Sequence, residues 1–556
     1  MANVKRFLSL FFLSSVVCCA VAQRSVQFTW GSKDVHYAQA EIIDRPITTD
    51  TLITAWKGER LGALAVLRSA DSLGTLRVSL TSPKMGKTLM NATVSEARFI
   101  NYVLADNYQH CGYHPMHLTT YGVPDIIDQD VPHNIGANVT QPIWCTIDVP
   151  QNAQSGTYSA FLNLVDTKNN RTINQLKLNI RVLDRTLPTP KTQQFHVDFW
   201  QQPYAVSRLL NVERWSKEHE EALKPYLRLL ARSGQKVVSA ILFYEPWGDQ
   251  SFDKFSPMVK TSKTADGKWQ YDYTIFDRWV ELCAECGIDK QINCFSMVPW
   301  DMSFRYTDET GREVDLKTST NSEAYRELWT SFLQNFAKHL KDKGWYDKTC
   351  IAMDERGLES MLDAYKVAQK AVPGLKMALA GSYHPELADK LYDYCIGFGE
   401  TFPDSVLSER KRKGYVSTTY TCCSNTEPNL FSNSLPAEAA YIPLWCIANH
   451  FDGYLHWSWM NWDDHSLTDS RFRLFGSGDT YLIYPGGRSS VRYERFMEGV
   501  ALSEKVRIMR DTYLKQGNNQ ALSELNDVVA QFAPAGLPQN KKASDMVRQV
   551  QALVND

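Results

Sequence analysis

Residues 348–358 read KTCIAMDERGL, a run of small and apolar side chains that ends in two adjacent acids, Asp354 and Glu355, then an arginine and a glycine. Cys350 to Met353 suit a buried strand, but two carboxylates inside one would cost several kcal/mol unless paired. The acids therefore belong at the strand's open end. A helical stretch follows at once, with apolar spacing over Leu358 to Ala371.

Outward from this unit the same grammar repeats. Short apolar runs alternate with helical stretches: QQFHVDFW before Glu213 to Ser233, KVVSAILFYEPW before Thr274 to Cys286, and KQINCFSMVPW before Ser322 to Lys343. After the acid-tipped run come KMALAGSYHP, YCIGFGETFPD, GYVSTTYTCC, the helix Leu435 to His450, and DGYLHWSWMNW. Eight strands over roughly 270 residues have the size and rhythm of a (β/α)8 barrel, closed by a helix near Val491 to Tyr513. Such barrels carry their sites at the carboxyl ends of the strands. Chemically unusual residues stand at each of those ends: His196, Asp198 and Trp200; Tyr244, Glu245 and Trp247; Trp300 and Asp301; Asp354 and Glu355; Tyr383 and His384; Glu400; Tyr420; Trp457, Trp459 and Trp462.

Upstream, from about Ser25 to Leu183, the period is two, with turn residues between short runs such as GTLRVSL, PIWCTIDVP and GTYSAFLNLVD. This is the pattern of an antiparallel β-sandwich. Asp184 to Pro190, with two prolines, separates it from the barrel. The chain is thus read as residues 1–22 a signal peptide, 23–185 the sandwich, 192–515 the barrel and 516–556 a helical appendage. The signal reading rests on Lys5-Arg6, an apolar run from Phe7 to Val17 and Ala20-Val21-Ala22 as a small-x-small cleavage site; Cys18 and Cys19 offer a lipoprotein alternative. It implies export across an inner membrane to the periplasm, with no transmembrane segment in the mature chain.

Among 556 residues the formal net charge is −2, which excludes a global basic field for nucleic acid. Aromatic residues make up 12%, and their position at strand ends suggests stacking surfaces for a sugar. No Gly-x-Ser-x-Gly or phosphate-binding glycine loop accompanies them. Cys283 and Cys286 form a CxxC on a helix with no second pair, which reads as two small buried thiols. Asp463-Asp464-His465 reads as a solvated loop, so neither a metal nor a cofactor is expected. The vicinal Cys422-Cys423 has a loop-shaping role at a site as one reading, and the sequence does not decide its role.

Most glycosidases set two carboxyls from different strands across the scissile bond. Neighbours in sequence fit substrate-assisted hydrolysis instead, in which a 2-acetamido group attacks its own anomeric carbon. Glu355 would then be the general acid and Asp354 the anion that orients the acetamide N–H, with Tyr383 donating to the acetamide carbonyl. Trp300, His384, Tyr420, Trp457 and Trp459 are candidates for sugar contact, and His196 and Asp198 for a hydroxyl. Two other readings stand beside this one: double displacement with Glu400 as nucleophile, and a glycan-binding protein without turnover.

The sandwich, the proline linker, IAMDERG, LAGSYHP, YTCCSNTEPN and AEAAYIPLWCIANHFDGYLHWSWMNW together resemble glycoside hydrolase family 123 over nearly the whole mature chain. The resemblance implies a secreted β-N-acetylgalactosaminidase acting on glycans with terminal β-linked N-acetylgalactosamine, as on glycosphingolipid-type glycans. It implies a retaining mechanism through an oxazoline, with the polarising role on Asp354, the acid/base role on Glu355 and no metal in the chemical step. The resemblance implies an arginine, present in many relatives of this barrel, in the helix before the last strand, where this chain has Glu438-Ala439-Ala440.

Overall fold

The computed structural model describes residues 26–92 and 94–556. The segment read as a signal peptide lies outside the described residues. Among them, no helix is long and apolar enough to cross a membrane.

The first half-domain is two packed sheets. One has five strands in the order 27–31, 60–68, 140–148, 95–105, 121–127; the other runs 50–57, 171–186, 156–166, 74–80, 133–135, with a small hairpin at 84–89. Alternating side chains such as Phe99, Ile143, Leu162 and Leu178 fill the space between them. One pair departs from the antiparallel expectation: Asp50–Lys57 runs parallel to Arg171–Thr186, starting at Asp50 opposite Lys177.

The barrel strands are numbered β1 His196–Phe199, β2 Val237–Ile241, β3 Gln291–Phe295, β4 Thr349–Asp354, β5 Lys376–Gly381, β6 Asp393–Gly397, β7 Val416–Tyr420 and β8 Gly453–His456. All are parallel, in the ring order β1-β8-β7-β6-β5-β4-β3-β2. Seven lie within a run the sequence marks as a strand, and β6 begins one residue before its run, at Asp393. The seam between β1 and β2 is closed partly by side chains: Lys236 N–H donates to Val197 O at 2.9 Å, and Phe199 N–H donates to the Gln235 side-chain oxygen at 2.9 Å. A glutamine there supplies the backbone partner that a diverging ladder leaves unmet.

Helices follow the strands with recognisable starts. Ser322 caps Glu323–Asp342 by accepting from Tyr325 N–H, and Ser490 caps Val491–Gln516 through Tyr493 N–H. Glu438 is a structural cap: its carboxylate accepts from Leu435 N–H at 2.9 Å and Asn429 N–H at 3.0 Å. The loops after β2 and β3 carry two hairpins, 260–272 and 303–317, joined into a four-stranded sheet that the sequence does not reveal.

Helix Val491–Gln516 ties the two halves together with buried ion pairs. Arg492 meets Asp125 at 2.9 Å, Arg495 meets Asp34 at 2.6 Å, and Lys505 meets Glu59 at 2.7 Å, each acid belonging to the sandwich. The helices Asn519–Ala530 and Ala543–Val554 pack Leu525, Val529, Met546 and Val550 into the barrel's apolar cluster.

Candidate active site

Asp354 is the last residue of β4, and Glu355 begins the turn that follows. Glu355 has φ 48°, in the left-handed region, and its N–H donates to Ala380 O at 2.6 Å. A non-glycine residue adopts this conformation only where its surroundings impose it. Gly381 on β5 is part of that surrounding: a Cβ there would lie 3.3 Å from the Glu355 Cα. The left-handed residue breaks the strand's alternation, so both carboxyls line one cavity instead of diverging.

The cavity holds about 290 Å³ and opens at the carboxyl ends of the strands, where the barrel rule places a site. It is near the lower bound of small-molecule sites, roughly 300 Å³, and suits one sugar ring. Trp300, 38% exposed, forms one wall. Its indole N–H donates to Asp354 Oδ2 at 3.1 Å, and the Arg356 guanidinium stacks over its ring at 4.3 Å. Arg356 donates to the Asp354 backbone carbonyl at 2.8 Å rather than to a carboxylate. Burial and the neighbouring Glu355 push the Asp354 carboxyl up to about 7, against the opposing pull of Trp300 and Arg356. From β7, the Tyr420 O–H donates to Glu355 Oε1 at 3.0 Å, and burial beside these acids raises the phenol's own proton affinity.

The opposite wall comes from β8 and the chain after it. Trp457 lines the cavity and donates to Asp479 Oδ2 at 3.3 Å. The sandwich also contributes. Its loop after residue 105 carries Cys111 and Gly112 into the cavity wall, and Cys111 is disulfide-bonded to Cys423 across 312 residues of sequence. The same loop is pinned by His114, whose Nε2 meets Asp106 at 2.8 Å and whose Nδ1 meets Phe472 O at 2.9 Å. The sequence marks Cys423 but gives no sign of its partner, and it gives none of Asp479.

The structure brings Asp354, Glu355, Trp300, Tyr420 and Trp457 together. Other candidates stand elsewhere. His196 and Asp198 face the barrel interior, where Asp198 is 2% exposed and roofed by Trp200, whose indole N–H donates to it at 3.4 Å. Burial favours the neutral form of each: it lowers His196 to about 3 and raises Asp198 well above its ordinary value. Trp459 is fully buried, stacked on Phe199 at 6.0 Å, because β8 ends at His456 and the alternation that would align it with Trp457 ends with it. Tyr383 and His384 are outside the cavity wall; the Tyr383 ring packs edge-on against Phe402 at 5.2 Å. Glu400 is also outside it, with one oxygen taken by Tyr383 N–H at 2.7 Å.

A larger cleft, about 500 Å³, opens at the amino-terminal ends of the strands. Of its lining charges, Glu504 accepts from Gln194 and Phe195 N–H and pairs with Arg507 at 2.9 Å, and Asp452 accepts from Ser417 N–H at 2.8 Å. Among the described residues, the cluster with metal-ligand proximity is Cys111, Cys422 and Cys423, and two of its sulfurs are bonded to each other. Asp463 closes its own loop by accepting from His465 N–H at 2.8 Å, and Asp464 pairs with Arg208.

A parallel barrel with paired acids at a sugar-sized cavity defines a glycoside hydrolase. Residues 200–509 match the glycoside hydrolase 123 catalytic domain and residues 30–166 the glycoside hydrolase 123 N-terminal domain, so the chain belongs to glycoside hydrolase family 123. Its fold is similar to that of a family 123 glycoside hydrolase from Clostridium perfringens, described for glycolipid glycan hydrolysis, at 23% identity and a TM-score of 0.85, covering 95% of this chain and 97% of that one. An endo-β-1,6-glucanase matches more distantly, at 12% identity and a TM-score of 0.34 over 56% of this chain and 77% of that one. No curated protein matches the chain.

Proposed function

We propose that the enzyme removes terminal β-linked N-acetylgalactosamine from glycans, including those of glycosphingolipid type, with retention and through an oxazoline. The observation that carries this reading is the adjacency of Asp354 and Glu355 in one cavity, enforced by the left-handed Glu355. Neighbours that share a wall cannot readily flank an anomeric carbon as nucleophile and acid, but they can serve its acetamide and its leaving oxygen side by side.

In the first step the acetamide oxygen attacks C1 while Glu355 gives its proton to the departing glycosidic oxygen, and the C1–O bond breaks. Positive charge develops on the acetamide nitrogen, and Asp354 accepts its N–H. In the second step Glu355 takes a proton from water, the water oxygen bonds to C1, and the oxazoline reopens to the acetamide. In the empty site burial and the neighbouring Glu355 favour the protonated form of Asp354, raising it to about 7. An arriving acetamide N–H needs an acceptor at that position, so the reaction requires Asp354 ionised while Glu355 holds the acid proton. Tyr420 keeps Glu355 aimed throughout. Export to an oxidising compartment is part of the same reading, supported by the Cys111–Cys423 bridge.

The test is hydrolysis of a chromogenic β-N-acetylgalactosaminide beside the matching β-galactoside, with and without the thiazoline mimic of the oxazoline. Cleavage of the acetamido sugar alone, blocked by thiazoline, is the expected result. Thiazoline-insensitive cleavage of the plain galactoside would replace the acetamide with an enzymic nucleophile and refute the mechanism.

A further inference from the structure

Of the three acids that line the cavity, Asp354, Glu355 and Asp479, the proposed reaction leaves Asp479 unused. We infer that Asp479 reads the hydroxyls on the far side of the sugar ring, the C4 hydroxyl foremost, and so sets which N-acetylhexosamine the enzyme accepts. The inference rests on the reading of Asp354 and Glu355 given above.

Asp479 is 1% exposed, yet it has one hydrogen-bond donor, the Trp457 indole; its Oδ1 has no partner. The nearby cation does not bond to it: Arg492 pairs with Asp125 at 2.9 Å and gives Nη1 to Leu430 O and Gly478 O, while its Nη2, like Asp479 Oδ1, has no hydrogen-bond partner. Burial pushes the carboxyl up to about 7, with Trp457 and Arg492 pulling the other way. A buried carboxyl lacking a donor is costly to the fold. At a cavity wall, that cost is relieved by a ligand that brings the donor, and a sugar hydroxyl is such a donor.

The local backbone holds the group in place. Gly478, at φ 73°, precedes it; a Cβ there would fall 2.8 Å from the Arg492 guanidinium. Thr480 after it is fixed by Asn461 N–H, which donates to its carbonyl at 3.0 Å. Asp479 therefore belongs to the wall attached to β8.

Topology then decides which hydroxyl it meets. In the ring order, β8 is separated from β4 by β5, β6 and β7 on one side and by β1, β2 and β3 on the other, so the two strands face each other across the mouth. C1 and C4 are likewise opposite corners of a pyranose ring. A ring with C1 and the C2 acetamide at Glu355 and Asp354 directs its C4 edge toward Trp457 and Asp479. Trp457 offers an apolar face and Asp479 an acceptor, a pairing suited to a sugar's mixed surface.

The experiment compares kcat/KM for three aryl glycosides: β-N-acetylgalactosaminide, its 4-deoxy analogue and its C4 epimer, the β-N-acetylglucosaminide. Wild type is expected to favour the first strongly. Asp479→Asn should lose about 10- to 100-fold on it, the range of a hydrogen bond to a charged group, while the 4-deoxy rate barely changes. The preference then collapses. Ratios between substrates do not depend on how much of the variant is folded, and Asp479→Glu gives a second series if the asparagine variant fails to fold. Equal loss on all three substrates would assign Asp479 a purely structural role and overturn the inference. Failure of wild type on all three would overturn the reaction itself, which keeps the two failures distinct.

Discussion

Trp300→Phe keeps an aromatic ring at the cavity wall under Arg356 but removes the pyrrole half of the indole and with it the N–H that donates to Asp354 Oδ2 at 3.1 Å. A hydrogen bond to a charged acceptor contributes about 1.5–3 kcal/mol. Trp300 is 38% exposed, and solvent screening brings this just below that range, to about 1.4 kcal/mol or one pH unit. The bond favours ionised Asp354, so its loss raises that group's proton affinity from about 7 toward 8. With one proton shared by the pair, the form with Asp354 ionised and Glu355 protonated becomes about tenfold rarer. The kcat/KM plateau should therefore fall about tenfold, and the basic limb of the pH profile should move up by about one unit. The assay is initial rate on an aryl β-N-acetylgalactosaminide between pH 4.5 and 9.5. A limb that stays in place, or moves down, would refute the claim that Trp300 tunes Asp354.

Three other outcomes are expected. Glu355→Gln should lower kcat by about 10²–10⁴-fold while thiazoline affinity measured by calorimetry is retained; lost affinity would place Glu355 in binding rather than proton transfer. Cys111→Ser opens a bridge spanning 312 residues, worth up to about 5–6 kcal/mol in chain entropy; urea unfolding should show a lower midpoint, and KM should rise as the sandwich loop leaves the cavity wall. Burial raises Asp354, Asp479 and Glu245 to about 7 and Glu438 to about 8, so these groups carry protons in the folded state that the unfolded chain has released. Buried His196 and His456, lowered to about 3, act oppositely, but only below pH about 6.5, where the unfolded chain protonates them. Between pH 6.5 and 8 these carboxyls lower stability as pH rises, by up to about 1.4 kcal/mol per bound proton per pH unit, and buried Lys236, lowered to about 8, opposes them near the top of that window; with four carboxyls against one amine, calorimetry should show a lower melting temperature at pH 8 than at pH 6.5.

The barrel is legible in the sequence because each strand is short, apolar and tipped with a residue that would be costly inside it. Asp354 and Glu355 announce the site for the same reason. What is hidden depends on three-dimensional height and on long-range partners. His196 and Asp198 sit near a strand end, but Trp200 forms the layer above them and seals them from the cavity. Trp459 follows the alternation on paper, yet the strand stops at His456. Asp479 lies in a glycine-rich loop with no period, where only an acid between small residues hints at a role. Cys111 stands in the other domain, and no spacing along the chain could match it to Cys423.

That bridge limits how the protein can be taken apart. The proline linker invites a cut that would free the barrel as a self-sufficient catalyst, and recombination between relatives could exchange the sandwich as a module. Either operation would remove Cys111 and Gly112 from the cavity wall and leave Cys423 without its bonded partner. The sandwich is then inherited as part of the catalyst, and any graft that trades one half must bring a loop that finishes the other half's cavity.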